Sequence, residues 1–126
     1  MRAVDTNVLV RLITRDDPRQ VAAAEEFVAK GAWVSLPALV EAVWVLSSVY
    51  ELPHKELAKA VQMLLDHRDL VLHEPEAVAA ALALFQARPA LGFSDCLMLA
   101  LARQAGHLPL GTFDRNLAKS SGAQKL

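Results

Sequence analysis

The sequence contains one cysteine, Cys96, in 126 residues. An intrachain disulfide is therefore excluded, and a thiolate zinc site cannot form from this chain alone. A reducing, cytoplasmic setting is expected. No segment runs for the roughly 18 to 20 uncharged apolar residues of a membrane helix. The nearest, residues 31–50, is broken by Pro37, Glu41 and three serines, and no signal-peptide core follows Met1. An excess of one charge is also lacking. Thirteen basic and 14 acidic residues leave a net charge of −1, so no overall basic field exists to hold nucleic acid non-specifically. A nucleic-acid substrate would have to be held by local groups or by bound cations. No phosphate-cradling glycine loop occurs, and the four histidines (His54, His67, His73 and His107) fall at no zinc or paired-catalyst spacing. Ser94 has no nucleophile elbow around it.

What the chain does have is apolar material, 54% of its residues, which is ample for a core and excludes disorder. The length fits one domain, residues 1–126. Its elements alternate. Ala3-Val4 is a short strand ending at Asp5, and residues 6–14 form a first helix. Pro18, behind Asp16 and Asp17, opens a second helix with Val21, Ala24, Phe27 and Val28 on one face. Residues 32–35 make a strand, and Pro37 opens a helix carrying Leu39, Val43, Leu46 and Tyr50. Leu57, Val61, Leu64 and Leu65 mark another helix, residues 70–73 a strand, and Pro75 a further helix. Ser94 is read as the N-cap of a helix running to Ala105, residues 108–112 as a strand, and residues 124–126 as a short edge strand. Strand and helix in alternation imply an α/β fold, a parallel sheet with helices on both faces.

Acids interrupt the apolar runs. Glu41 is the only charged residue between Lys30 and Glu51, Asp95 the only one between Arg88 and Arg103, and Asp5 the only one between Arg2 and Arg11. Each lies in a segment that looks buried, where an unpaired carboxylate costs several kcal/mol, roughly, unless something compensates it. Asp5 and Asp114 fall at strand C-termini, and Asp95 and Glu41 lie within the first turns of helices. In an open parallel sheet these positions share one edge. Helix N-termini offer about 0.3 to 1 kcal/mol each, too little to gather four anions. One or two hard divalent cations, Mg²⁺ or Mn²⁺, would suffice. Ordinary roles also exist: Asp5 and Asp114 suit helix N-caps, and Asp95 suits a helix start. Glu41 caps nothing.

At these acids the sequence resembles the PIN-domain family, in particular the VapC-like toxin ribonucleases of toxin–antitoxin pairs. Val4-Asp5-Thr6-Asn7 is similar to the family's first motif, and Leu39-Val40-Glu41-Ala42 to its second. Phe93-Ser94-Asp95-Cys96 resembles the third, with cysteine where alanine is more usual, and Thr112-Phe113-Asp114-Arg115 the fourth. The resemblance covers the whole chain in order. It implies a three-layer α/β/α sandwich with a mainly parallel sheet of four or five strands. It also implies Mg²⁺- or Mn²⁺-dependent endoribonuclease activity, a homodimer, and a small antitoxin that blocks the site.

The expected chemistry is hydrolysis of an RNA phosphodiester by a metal-activated water. Asp5, Glu41 and Asp95 are the first choice as ligands, with Asp114 a fourth, acting directly or through water. Thr6, Asn7 and Thr112 stand beside them as polar supports, or simply as turn and cap residues. Arg11 and Arg115 are candidates for gripping phosphate, while Arg15 suits pairing with nearby acids. Trp33, Trp44 and Tyr50 offer apolar area for a partner, core packing being their default. Two other classes remain: an inactive module of the same fold that only binds protein, and a nuclease acting on DNA. A phosphoacceptor receiver would need adjacent acids near strand one, and an aspartate-nucleophile phosphatase a D-x-D. Neither pattern occurs here.

Overall fold

The computed structural model describes all 126 residues. They form two compact units, Met1–Pro75 and Glu76–Leu126. The first unit contains β1 (Arg2–Val4), α1 (Thr6–Thr14), α2 (Pro18–Val28), β2 (Ala32–Val34), α3 (Leu36–Ser48), α4 (His54–Asp66) and β3 (Leu70–Leu72). The second contains α5 (Pro75–Ala87, apart from its first residue), α6 (Phe93–Ala105), β4 (Leu110–Thr112), a 3₁₀ turn at Leu117–Lys119, and β5 (Ala123–Lys125).

In the first unit the three strands pair in parallel in the order β1-β2-β3. Val4 is level with Val34, and Val34 with Leu72. The strands therefore end together, and the helices that follow β1 and β2 both begin at that edge. Local chemistry sets those starts. Asp5 caps α1 by accepting a hydrogen bond from the Val8 N–H at 3.2 Å. Asp17 caps α2 from Gln20 at 3.1 Å with Pro18 at the first helical position, and Ser35 caps α3 from Ala38 at 3.3 Å. Leu9, Val34, Leu39, Leu46, Val61 and Leu64 are buried. Burying each such side chain is worth about 1.5 to 3 kcal/mol, which is what holds these short strands and amphipathic helices together.

In the second unit β4 and β5 pair in parallel, Gly111 level with Gln124. The expected parallel strands are all present, hydrogen-bonded as one three-stranded and one two-stranded ladder. Phe85 of α5 meets Phe93 of α6 edge to face, with centroids 5.7 Å apart. Several boundaries move by one or two residues from expectation: β2 and β3 end at Val34 and Leu72, β5 is Ala123–Lys125, and α3 ends at Ser48, before Tyr50. The N-cap of α6 is Gly92, whose carbonyl accepts from the Cys96 N–H at 3.2 Å, and Ser94 lies inside the first turn. β4 begins at Leu110 rather than 108, after Pro109, which has no N–H to give a ladder. No helix is long and apolar enough to cross a membrane.

Candidate active site

The two units each carry two of the four acids. In the first, β1 delivers Asp5 to the sheet edge, where one carboxylate oxygen is occupied by the cap bond to Val8 and the other has no partner in the chain. Thr6 and Asn7 open α1 beside it. Glu41 lies in the second turn of α3, exposed, with neither a hydrogen bond nor an ion pair. α1 and α3 pack directly against each other, so the helix that Asp5 caps is the neighbour of the helix that carries Glu41.

In the second unit Asp95 is the third residue of α6 and Asp114 follows β4. Asp114 is fixed from two sides. Its backbone N–H donates to the Thr112 hydroxyl at 2.9 Å, and its Oδ1 accepts from the Leu117 N–H at 2.8 Å. Asp95 is half-buried and has no hydrogen bond or ion pair of its own. Its pKa is raised, first by loss of solvent and second by the negative charge of Asp114. Two carboxylates of this unit thus repel each other with no cationic side chain paired to either.

The expectation that the acids are buried does not hold. Asp5, Glu41 and Asp114 are exposed and only Asp95 is half-buried. Of the three exposed acids only Glu41 lies within a helix, on its exposed side, while Asp5 and Asp114 follow the ends of β1 and β4; a lone charge in an apolar run marks an outward position as readily as a buried one. In neither unit do three His, Cys, Asp or Glu side chains come together as a metal cage. The donor set is nonetheless all carboxylate oxygen, the type that Mg²⁺ and Mn²⁺ take, and the Asp95–Asp114 repulsion is what a divalent cation would relieve. The residues present fit such an ion.

Arg115 is exposed and makes no ion pair, whereas Arg11 is committed within the protein. Its guanidinium donates to the Gln20 side-chain oxygen, to the Tyr50 hydroxyl at 2.9 Å and to Asp16 at 3.4 Å. Arg15 pairs with Glu25 at 3.3 Å. The sequence does not announce Tyr50 as the partner of Arg11. Tyr50 lies 39 positions from Arg11, and no local pattern marks so distant a partner.

A cavity of about 580 Å³ lies within the second unit, floored by Ala77, Ala80, Leu84 and Leu99. It contains none of the four acids. Cys96 lines it and is buried, and its thiol is pushed up to about 11 by that burial and by the charge of Asp95. Such a thiol stays protonated and inert.

The chain matches the PIN domain family over residues 2–122. A comparison with curated proteins and with solved structures returned no match. The match spans both units, and the chain belongs to the PIN domain family, whose members are generally nucleases and typically use divalent metals. The α/β architecture with parallel strands agrees with that fold.

Proposed function

We propose that this protein is a divalent-metal-dependent endoribonuclease and the toxin of a toxin–antitoxin pair. The observation that carries the metal is the Asp95–Asp114 carboxylate pair, which repels without a cationic partner. RNA as substrate, and the toxin role, rest on the likeness of the four motifs to VapC-like proteins. The nuclease domain is assigned to residues 1–126, and its setting to the cytoplasm.

Asp5, Glu41 and Asp95 are the residues that would hold Mg²⁺ or Mn²⁺, one or two ions, with Asp114 as a fourth, directly or through a water. A cation held there supplies Lewis acidity and an acidified water for in-line attack on phosphorus. The free oxygen of Asp5, the one not engaged by Val8, faces that task while the other keeps α1 capped. Thr112 fixes the backbone of Asp114 and so steadies its carboxylate. Thr6 and Asn7, at the start of α1, orient groups at the same edge. Arg115, exposed and without an internal partner, meets an RNA phosphate.

Homodimerisation and a small antitoxin belong to the same proposal. Trp44, 64% exposed on α3, and Phe113, 78% exposed beside Asp114, supply apolar area for contacts of this kind. The test is cleavage of labelled RNA and of matched DNA with Mn²⁺ or with chelator. Metal-dependent cleavage of RNA alone supports the proposal. Cleavage of DNA alone points to a deoxyribonuclease, and no cleavage of either, with no gain in stability from Mn²⁺, to a protein-binding module.

A further inference from the structure

Arg11 has the residue type for a phosphate contact, yet its surroundings give it other work. It lies in the last turn of α1. Its guanidinium donates to the Tyr50 hydroxyl at 2.9 Å and to Asp16 Oδ1 at 3.4 Å, and its Nε donates to Gln20. The Tyr50 hydroxyl in turn donates to Asp16 Oδ2 at 2.9 Å, and the Thr14 hydroxyl to Asp16 Oδ1 at 2.7 Å. Arg11, Tyr50 and Asp16 therefore close a ring of hydrogen bonds. It joins the end of α1, the loop that follows, and Tyr50 just past the end of α3.

The other ends of α1 and α3 are fixed independently. Asp5 follows Val4, Ser35 follows Val34, and Val4 and Val34 are level in the parallel ladder. The two helices thus start side by side at the sheet edge, run in contact, and are tied again where they finish. Asp5 is the cap at the start of α1, and Glu41 lies in the second turn of α3. A frame fastened at both ends leaves little freedom for one helix to slide or tilt past the other, and side-chain position at a metal site depends on such outer support.

We propose that the Arg11–Asp16–Tyr50 ring is a positioning device that holds α1 against α3 so that Asp5 and Glu41 serve one cation. The proposal rests on the metal site described above. The ring is charged across the working range: hydrogen bonding to Tyr50 raises the pKa of Arg11, and hydrogen bonds from Thr14 and Tyr50 lower that of Asp16. Lysine could not replace Arg11, because one ammonium does not reproduce the planar fork that reaches Gln20, Tyr50 and Asp16 together.

The test measures Mn²⁺ binding to the full chain without RNA, by the spin-resonance signal of the free ion. The parent is compared with Tyr50→Phe, Arg11→Met and Arg11→Lys. Tyr50→Phe and Arg11→Met weaken Mn²⁺ binding by about tenfold or more, as loss of an outer support does, and Arg11→Lys does not restore it. Amide exchange in α1 rises in the same variants while α4 keeps its protection. Should Arg11→Met fail to fold, the milder Tyr50→Phe decides. Unchanged Mn²⁺ affinity in folded variants overturns the positioning role alone. So does a raised KM for RNA in Arg11→Met at unchanged Mn²⁺ affinity, which would return Arg11 to the substrate. A parent that binds no Mn²⁺ overturns both the metal site and the ring's role in it.

Discussion

Asp114 stands close enough to Asp95 for its charge to raise the pKa of the Asp95 carboxyl, adding to the larger effect of burial. Asp114→Asn therefore lowers the Asp95 pKa, but not to its ordinary value, because burial remains. Carboxyl ¹³C titration of the metal-free protein reads this directly. An Asp95 pKa that does not move in Asp114→Asn would show that the two charges do not interact.

The same pair sets a stability dependence on pH. The folded-state pKa of Asp95 is raised, so the folded protein binds the proton more tightly than the unfolded chain does. Its contribution is most favourable at acid pH, below the unfolded pKa, and is lost as pH rises through the raised folded value. At neutral pH without metal, Asp95→Asn raises Tm by about 1 to 3 °C, the effect kept small by partial exposure. The same variant loses cleavage. Thermal unfolding at pH 4 and pH 7.5 checks both the sign and the window.

Substitution separates the observed cap role of Asp5 from its proposed metal role. Asparagine caps a helix as well as aspartate does, so Asp5→Asn stays within about 0.5 kcal/mol of the parent, whereas Asp5→Ala loses about 1 kcal/mol. Cleavage falls by about 100-fold or more in both, because both remove the charge. Glu41→Gln, on an exposed position with no internal partner, leaves stability within about 0.5 kcal/mol and also loses cleavage. Urea unfolding alongside initial rates distinguishes support from chemistry.

Cation binding shows in stability. At a hundredfold excess over its Kd, Mn²⁺ adds about 2.7 kcal/mol, which raises Tm by roughly 10 °C in a chain of this size. Chelation reverses the rise, and Asp5→Asn and Asp95→Asn each suppress it. A parent whose Tm ignores Mn²⁺ contradicts the site.

Much of the fold was legible because it is written locally. The caps at Asp5 and Asp17, the first-turn Pro18 and the spacing of Val21, Ala24 and Val28 are short-range signals, and α1 and α2 begin where those signals put them. Gly92 displaced Ser94 as the start of α6 because a glycine in extended backbone opens a helix without any side-chain signal. The exposure of Asp5 and Glu41 was not legible, since isolation in an apolar run does not say which way a side chain turns. Nor was the commitment of Arg11, whose partner Tyr50 comes from another helix end. Strand count is local, but the division of the ladders into three and two depends on tertiary placement that no pattern encodes.

The measurement closest to the central claim is end-group analysis of RNA cleaved by the parent and by Asp5→Asn, each with Mn²⁺ and with chelator. The parent with Mn²⁺ is expected to give fragments with 5′-phosphate and 3′-hydroxyl ends, and the other three reactions to leave the RNA intact. Equal cleavage by Asp5→Asn, or cleavage that survives the chelator, would contradict the claim.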